Sequence, residues 1–307
     1  MPNKLKLRQL EGFVAAADLG SFALAASHMA MSPPAFSQAI RELEATLGVA
    51  LFDRTTRRVD LTPAGQQLLH SVRRPLQDLD HAHEEMRALA LGHRGRVAFS
   101  ILHSLAFGIG TRALAALRER HASISVQMIE DQNDVLVERV MNREVDFGVG
   151  MFTHASDDLS FEPLFVDELV AVFAAGHALR KSRQVEWAEL AAHPLILLPQ
   201  KSSVRRLVEA SILVTGMPRQ PVHEVVSMVT AINMASARLG ITILPALSLP
   251  SLNMRKVAYR PIGEPKPYRQ IGILRKLSRP VLEAERVALA QIRREARDAE
   301  GVLHPPP

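Results

Sequence analysis

Apolar residues repeat at helical spacing near the start of the chain. Ile40, Leu43 and Leu47 fall on one side of a helix that Gly48 is placed to end. The opposite side of that helix carries Ser37, Gln38 and Arg41. An alternation of apolar and polar residues around position 60 predicts a strand. Residues 1–62 are therefore predicted to form a helix, a tight turn, a second helix and a hairpin.

Capping signals mark where the two helices begin. Ser21 and Ser32 are favourable N-cap residues, and Pro33 suits a first helical turn because its missing N–H has no partner there. Small residues are expected where the two helices cross closely, namely Ala25, Ala26 and Ala35. This order of elements is typical of an all-α winged helix-turn-helix domain, which places one helix in the DNA major groove.

Residues expected at DNA lie at the helix starts, on the exposed face of the second helix and in the hairpin. They are Ser21, Ser32, Pro33, Pro34, Ser37, Gln38, Arg41, Arg54, Arg57 and Arg58. Gln and Arg side chains bond adenine and guanine bidentately, whereas the hairpin arginines suit phosphates or the minor groove. Three clustered arginines also occur in solvated turns. The helix-turn-helix that precedes them is what favours a role in DNA binding.

A long helix is predicted over residues 63–92, with Pro63 in its first turn and Gly92 at its end. Its apolar positions step by three and four residues, which is the spacing of a coiled-coil seam. The seam residues are Leu69, Val72, Leu76, Leu79, His83 and Met86. We expect this seam to pair two subunits, although such a stripe can also pack on its own domain. Pro75 removes one backbone hydrogen bond, which predicts a kink or frayed packing there.

Strand-like and helical segments alternate from residue 93 to residue 300, which predicts an α/β domain with parallel strands. The strands are expected at 97–101, 124–130, 145–150, 168–174, 195–198, 222–226, 241–244 and 271–275. The helices are expected at 104–120, 133–143, 186–192, 203–215, 228–239 and 280–299. Residues 301–307 are expected to be a disordered tail.

Composition narrows the class of protein. The 307 residues are 47% hydrophobic and 22% charged, which is ordinary for a protein in solution, and the net charge of +5 alone does not establish DNA binding. The absence of cysteine excludes disulfides and thiolate chemistry. No apolar run approaches the ~20 residues of a membrane span. The first six residues lack the apolar region of an export signal, so we expect a cytoplasmic protein.

Two patterns imitate cofactor or metal sites. Gly108, Gly110 and Ala113 match a dinucleotide-binding fingerprint, but Gly108 is expected inside a helix rather than directly after a strand. His81 and His83 are two residues apart and point to different faces of the long helix, which disfavours a shared metal. The chain has no G-x-S-x-G, P-loop or H-E-x-x-H pattern. No catalytic residue, metal ligand or cofactor is therefore assigned.

Polar residues gather where predicted strands lead into helices. Ser104, Asn133, Ser203 and Ser227 are expected as N-caps at four such junctions. In α/β sheets, ligands bind beyond the carboxyl ends of strands, where helix N-termini favour anions. The candidate ligand-binding residues are Leu102, His103, Ser104, Gln132, Asn133, Lys201, Ser202, Ser203 and Ser227. Any helix prefers such caps, so a purely structural role stays open for them.

The N-terminal sequence resembles that of the LysR-type transcriptional regulators. The matching positions are Phe13-Val14, Gly20-Ser21-Phe22, Ala25-Ala26, Ser32, Pro34-Ala35, Ser37, Ile40, Leu43-Glu44, Leu47-Gly48, Leu51-Phe52, Arg54, Arg57, Leu61-Thr62 and Ala64-Gly65. They align without a gap, and the later segments also fit, so the resemblance covers nearly the whole chain. Phe36 departs from the smaller aliphatic residue that is usual there, and Asp131 stands where many members have glycine.

The resemblance implies a C-terminal domain with the two-lobed fold of type II periplasmic binding proteins and an effector in the cleft. It places chain crossovers near 161–165 and 261–268, one lobe at 93–162 plus 269–300, and the other lobe at 163–268. It also implies dimers through the long helix, tetramers through the regulatory lobes, and contact with RNA polymerase.

We therefore expect a ligand-responsive transcription regulator that binds double-stranded DNA at operator half-sites, and not an enzyme. The expected effector is a small carboxylate or an amino-acid-like compound. Glu130 and Asp131 would repel an acid unless they pair with Lys201 or Arg205, or they would select a cationic or zwitterionic ligand. The rival interpretation is a transport-type binding protein or a nicotinamide-dependent enzyme built on the C-terminal lobes. An export signal would favour the first, and nicotinamide turnover the second.

Overall fold

The structure is a computed structural model that describes residues 5–53, 59–90, 95–151, 158–215, 221–277 and 281–303. The chain divides into two compact units, Met1–Arg87 and Ala88–Pro307. Within the described residues, no helix combines the length and the apolar character needed to cross a membrane.

The N-terminal unit is a helix-turn-helix domain with a small hairpin. Its elements are α1 (Leu7–Leu19), α2 (Phe22–His28), α3 (Pro33–Leu47) and the antiparallel strands β1 (Phe52–Asp53) and β2 (Asp60–Leu61). The side chains of Ser21 and Ser32 accept the backbone N–H groups of Leu24 and Ala35, each at 3.4 Å, so both predicted caps are confirmed. Gly48 ends α3 with a φ of 73°, a conformation that glycine adopts without strain.

An apolar cluster holds the three helices together. Phe13 and Leu43 are fully buried within it. The rings of Phe22 and Phe36 meet edge-on with their centroids 5.7 Å apart. Gly12 makes room for the large ring at position 36, since a Cβ on Gly12 would lie 3.2 Å from the ring of Phe36. The large side chain of Phe36 therefore fits in the apolar cluster because its neighbour Gly12 has no side chain.

The alanines of this domain do not all lie at the helix crossing. Ala25 and Ala26 are fully buried, as expected. Ala35 is exposed, and its expected place at the crossing is wrong. It belongs to the first turn of α3, where the inward position is taken by its neighbour Phe36.

Helix α4 (Pro63–Ala90) follows the hairpin and continues through Pro75. The hydroxyl of Thr62 accepts the N–H of Gly65 at 3.0 Å, which caps the helix. Arg73 on this helix pairs with Asp18 of α1, within the N-terminal unit.

The predicted coiled-coil seam on α4 divides into two parts. Leu69 and Val72 pack against the apolar cluster of their own domain. For these two residues the structure shows the alternative to a subunit seam, namely packing within the same subunit. Leu76 is also buried. The side chains of Leu79 and Met86 are 52% and 59% exposed. The exposed part of the seam therefore comprises Leu79, His83 and Met86.

The C-terminal unit is an α/β domain. Its strands are β3 (Arg96–Leu102), β4 (Ser125–Asp131), β5 (Phe147–Gly150), β6 (Leu159–Ala174), β7 (Leu195–Leu197), β8 (Pro221–Glu224), β9 (Ile241–Pro245), β10 (Val257–Pro261) and β11 (Tyr268–Lys276). Its helices are α5 (His103–Leu105), α6 (Thr111–Arg120), α7 (Asn133–Met141), α8 (Trp187–Ala191), α9 (Ser203–Thr215), α10 (Met228–Ser236) and α11 (Glu283–Leu303). A π-helical turn, Ala106–Gly110, joins α5 to α6, and 3₁₀ helices lie at Ala178–Lys181 and Ala246–Ser251.

The strands follow the order β4-β3-β5-β11-β6-β9-β7-β8, and β10 pairs with β6. Strand β3 is parallel to β4 and β5, and β7 is parallel to β8 and β9, whereas β6 and β11 run antiparallel to their neighbours. One apolar cluster surrounds Phe99 and Ile273, and a second surrounds Phe173 and Ile243. We call these the first lobe and the second lobe. The predicted two-lobed α/β class is confirmed.

Three local expectations are corrected. Strand β10 was not predicted, because only Val257 is buried along this edge strand and its apolar pattern is weak. The chain crosses between the clusters after Phe165 rather than before it, where the N–H of Leu169 donates to the carbonyl of Pro267 at 2.8 Å. Helix α11 continues to Leu303, so the first part of the expected tail is helical. Residues 304–307 lie outside the described residues.

Candidate DNA-binding surface and effector cavity

Helix α3 carries polar residues on the side away from the core. Gln38 and Arg41 are exposed, and Ser37 is half-buried. The amide of Gln38 donates to Glu42 at 3.3 Å, and Nε of Arg41 donates to the carbonyl of Ser37 at 3.3 Å. Both contacts are long for hydrogen bonds, so a base edge can replace them at low cost.

The other predicted DNA contacts fall into two groups. Ser32, Pro33 and Pro34 are exposed at the start of α3, and Ser21 is half-buried at the start of α2. The hydroxyls of Ser21 and Ser32 already cap helices, which is a structural role. The remaining predicted contacts, which lie outside the described residues, are Arg54, Arg57 and Arg58.

Glu44 was not predicted as a functional residue, although it belongs to the matching sequence pattern. Its carboxylate accepts the N–H groups of Leu51 at 2.9 Å and Phe52 at 3.4 Å. Thr62 donates to the carbonyl of Ala50 at 2.7 Å at the other end of the hairpin. Since Glu44 lies on α3, these bonds fix the hairpin relative to the helix that carries Gln38.

A cavity of about 270 Å³ opens between the two lobes of the C-terminal unit. The predicted ligand-binding residues that line it are Leu102, His103, Ser104, Gln132, Asn133, Ser202, Ser203 and Ser227. Lys201 is exposed and is not part of the lining. Apolar residues, including Phe107 and Met228, supply much of the remaining surface. A largely apolar cavity with a few convergent polar groups is typical of a small-molecule site.

The predicted caps are corrected in detail. Ser104 lies inside α5, and its hydroxyl accepts a hydrogen bond from Arg269. Asn133 accepts the N–H of Met151 at 2.8 Å instead of capping α7. Ser227 is the N-cap residue of α10 but makes no side-chain cap bond. The hydroxyl of Ser203 makes no hydrogen bond to any described residue. Helix capping thus leaves the hydroxyls of Ser203 and Ser227 available to a ligand.

Arg269 is the main residue that sequence reasoning missed. Its side chain is 1% exposed and pairs with Asp167, which is fully buried, through bonds of 2.7 and 3.0 Å to one carboxylate oxygen. The same Nη2 atom donates to Ser104 at 2.7 Å. The other oxygen of Asp167 accepts the N–H of Leu247 at 3.1 Å. Nη1 of Arg269 makes no hydrogen bond to the described residues.

Two carboxylates at the cavity are already paired. Asp131 accepts from Ser100 and from Arg139, each at 2.8 Å, so of the open alternatives its pairing with Lys201 or Arg205 is not the one observed. Glu130 lies 2.7 Å from Nδ1 of His103, and both side chains are about half-exposed. Arg205 instead donates to Glu209 and to the carbonyl of Leu198.

An ion pair joins the lobes beside the cavity. Arg206 of α9 and Asp134 of α7 form two parallel hydrogen bonds of 2.9 Å. The bond to Asp134 is the main cause that raises the pKa of Arg206 above its ordinary value. The two side chains are 44% and 64% exposed, so water screens this pair.

The glycines that match the dinucleotide-binding fingerprint lie within a helical segment. Strand β3 ends at Leu102, and Gly108 and Gly110 lie in the π-helical turn that follows α5. The first glycine is thus inside a helical segment, as predicted, and does not directly follow the strand. Within the described residues, no three His, Cys, Asp or Glu side chains are grouped to hold a metal ion.

Family profiles match both units. The LysR substrate binding domain matches residues 90–297, and the bacterial regulatory helix-turn-helix protein of the lysR family matches residues 7–66. The chain belongs to the LysR family of transcriptional regulators. YbhD of Escherichia coli (strain K12), an uncharacterized HTH-type transcriptional regulator, is 30% identical over 273 residues, 89% of this chain and 86% of that protein. GbpR of Azospirillum brasilense is 30% identical over 298 residues, 94% of this chain and 86% of that protein.

Solved structures share the LysR fold. CbnR, a LysR family transcriptional regulator, superposes with a TM-score of 0.68 at 21% identity, covering 95% of this chain and 99% of that one. Full-length BenM superposes with a TM-score of 0.60 at 23% identity, covering 99% of this chain and 100% of that one. The chain is a LysR-type transcription regulator with a helix-turn-helix DNA-binding domain and a domain that binds a small-molecule effector.

Proposed function

We propose that this LysR-type regulator responds to a small carboxylate or amino-acid-like effector held between Ser104, Ser203 and Arg269. The observation that carries the proposal is a pair of donors on cavity-lining residues that make no hydrogen bond of their own to the described residues. Ser104 accepts from Arg269 and keeps its own O–H to donate, and Nη1 of Arg269 has no bonded partner among the described residues. A carboxylate is the group that such donors satisfy best.

The rim of the cavity supports a zwitterionic effector. Asp167 neutralises Arg269 from behind, and Arg139 neutralises Asp131, so the cavity has no large excess of positive charge. Glu130 at the rim is half-exposed, and its ion-pair partner among the described residues is His103. An ammonium group can bind at Glu130 while the carboxylate reaches Ser104 and Arg269.

The test begins with a thermal-shift screen of small carboxylates and amino acids on the full-length protein. For a compound that stabilises the protein, Ser104→Ala and Ser203→Ala should each weaken binding about tenfold by calorimetry, since each removes a hydrogen bond to a charged group. Lys201→Ala is the matched control, because Lys201 lies beside this cavity without lining it. Equal affinities in all three variants and the wild type would place the ligand elsewhere.

For DNA, we propose that Gln38 and Arg41 read base edges, with Ser37 beside them, and that Arg54, Arg57 and Arg58 contact the sugar-phosphate backbone or the minor groove. CbnR, of the same fold, has been solved in complex with its target DNA. Gln38→Ala should change the preferred sequence at one base pair, at a cost of about 1–3 kcal/mol. Selection from random DNA measures this. An unchanged site preference would reject the assignment.

For assembly, we propose a dimer through the exposed part of the α4 seam and a tetramer through the regulatory lobes. Leu79 and Met86 leave apolar surface uncovered on α4. In that dimer, Leu79→Glu would place a charge in an apolar interface and should reduce the mass measured by light scattering. Contact with RNA polymerase and a cytoplasmic location complete the proposed role.

A further inference from the structure

A second cavity lies in the second lobe and shares no lining residue with the effector cavity. Its volume is about 310 Å³, and it is formed around the turn after β6 and the start of β9. Three basic side chains line it: His177, His193 and Arg238. The rest of its lining consists of small or apolar residues, and none of the described lining residues is acidic.

The three basic groups converge. The rings of His177 and His193 meet edge-on with their centroids 4.7 Å apart. The guanidinium of Arg238 lies beside Gly176, since its Nη2 would be 3.7 Å from a Cβ at that glycine, an ordinary contact distance. Nδ1 of His177 accepts the N–H of Leu179 at 3.2 Å, so the proton of the neutral ring is on Nε2, which is then a donor.

Two chain segments that contribute to this cavity are rich in basic residues. The segments 174–185 and 237–263 contain no Asp or Glu. Their basic residues are Arg180, Lys181, Arg183, Arg238, Arg255, Lys256 and Arg260. The side chain of Arg238 makes no hydrogen bond or ion pair to the described residues. Burial lowers the pKa of His177, and the neighbouring charge of His193 adds a smaller effect in the same direction.

We propose that this cavity binds a small phosphoryl oxyanion, either inorganic phosphate or a phosphate monoester, between Arg238, His177 and His193. Arg and His donors suit phosphate oxygens, and Arg can bind two of them at once. A volume near 310 Å³ is at the lower end of the range for ligand sites, which fits a small metabolite. This site is independent of the proposed effector cavity.

The test is a calorimetric titration of the full-length protein with inorganic phosphate at constant ionic strength. Arg238→Asn should weaken phosphate binding about tenfold, the loss expected for a charged hydrogen bond. Asn is chosen because Arg238 has a φ of 65°, which Asn tolerates. Arg238→Lys keeps the positive charge but loses the two-point contact, so its affinity should fall between those of the wild type and Arg238→Asn. The matched control is Arg255→Asn, an exposed arginine of the same lobe outside the cavity, which should leave binding unchanged.

A second variant and a second ligand complete the experiment. His193→Gln should also weaken phosphate binding, whereas Ser104→Ala should not. Glycerol phosphate binding more tightly than inorganic phosphate would identify the occupant as a phosphorylated compound, and equal binding would identify the free ion. The proposal is overturned if the wild type gives no binding signal, if Arg238→Asn binds as the wild type does, or if Arg255→Asn weakens binding equally.

Discussion

Two ion pairs lie beside the effector cavity, and they differ in burial far more than in geometry. Arg269 and Asp167 pair at the crossover between lobes at 2.7 Å and are 1% and 0% exposed. Arg206 and Asp134 pair across the lobes at 2.9 Å and are 44% and 64% exposed. Distance alone would rank the two pairs as nearly equal.

Burial decides how much each ion pair contributes to the free energy of unfolding. A buried charge that loses its partner stays out of water, so breaking such a pair costs about 3–5 kcal/mol. An exposed charge regains water when its partner is removed, so an exposed pair contributes about 0.2–1 kcal/mol. The buried pair therefore fixes the crossover, whereas the exposed pair can open and close at little cost.

The largest expected effect is on the buried pair. Asp167→Asn leaves the guanidinium of Arg269 without a counter-charge and should lower the free energy of unfolding by about 3–5 kcal/mol. Denaturant unfolding followed by the fluorescence of Trp187 measures this, because this single tryptophan is buried in the second lobe. A loss under about 1 kcal/mol would mean that burial does not separate the two pairs.

A double variant separates stability from ligand binding. Replacing both partners, as Asp167→Leu with Arg269→Met, removes the charges together and should restore most of the lost stability. The same variant should still fail to bind the effector, because the guanidinium of Arg269 is gone, and with it the Nη1 donor and the bond from Nη2 to Ser104. Effector binding at wild-type strength would contradict the proposed role of Arg269.

A smaller effect is expected at the exposed pair. Arg206→Gln should lower the free energy of unfolding by less than about 1 kcal/mol. Because Arg206 and Asp134 lie on opposite sides of the cavity, the variant should also weaken effector binding, by no more than about fivefold. Calorimetry in low and high salt measures this, and the difference from the wild type should shrink in high salt.

The chain offers a matched control for Arg206. Arg293 of α11 forms two bonds of 2.7 and 2.8 Å with Glu162 of β6, and both residues belong to the first lobe. Their side chains are 36% and 44% exposed, close to the exposure of the other pair. Arg293→Gln should have a similar effect on stability and none on effector affinity. Equal losses of affinity in both variants would show that the position across the lobes is irrelevant.

The sequence predicted the elements where the apolar pattern is strong. Ser32, Pro33 and Gly48 mark the ends of α3 because capping chemistry is local in the chain. Helix α9 begins at Ser203 and ends at Thr215, as expected from its periodicity. Strand β10 was missed, because an edge strand with one buried residue has no clear alternation.

The residues of the effector cavity were predicted only in part, because some of them depend on contacts between distant parts of the chain. Ser104 and Ser203 could be found because they lie at strand-to-helix junctions. Arg269 could not, because its role depends on the register of β11 against β6, which places it opposite Asp167. The one available signal was an opposite pair of charges in two apolar strands near the predicted crossovers. A pairing across 102 residues is not local in the chain.

The smallest expected effect is the pH dependence of the exposed pair in the first lobe. The hydrogen bond from Arg293 is the main cause that lowers the pKa of Glu162 below its ordinary value. A lowered carboxyl pKa means that the unfolded chain binds the proton more readily. The stabilisation is therefore complete above the unfolded value of about 4.3 and is lost as the pH falls through the lowered pKa. Since both side chains are more than a third exposed, the loss should stay below about 1 kcal/mol.

Glu162→Gln should lower the free energy of unfolding at neutral pH. The difference in this free energy between the variant and the wild type should become smaller in acid. Glu119→Gln, on an exposed carboxylate of α6, is the control and should leave the curve unchanged. Denaturant midpoints followed between neutral and acid pH measure this. A gap that stays constant down the whole acid range would contradict the assignment of the shift to Arg293.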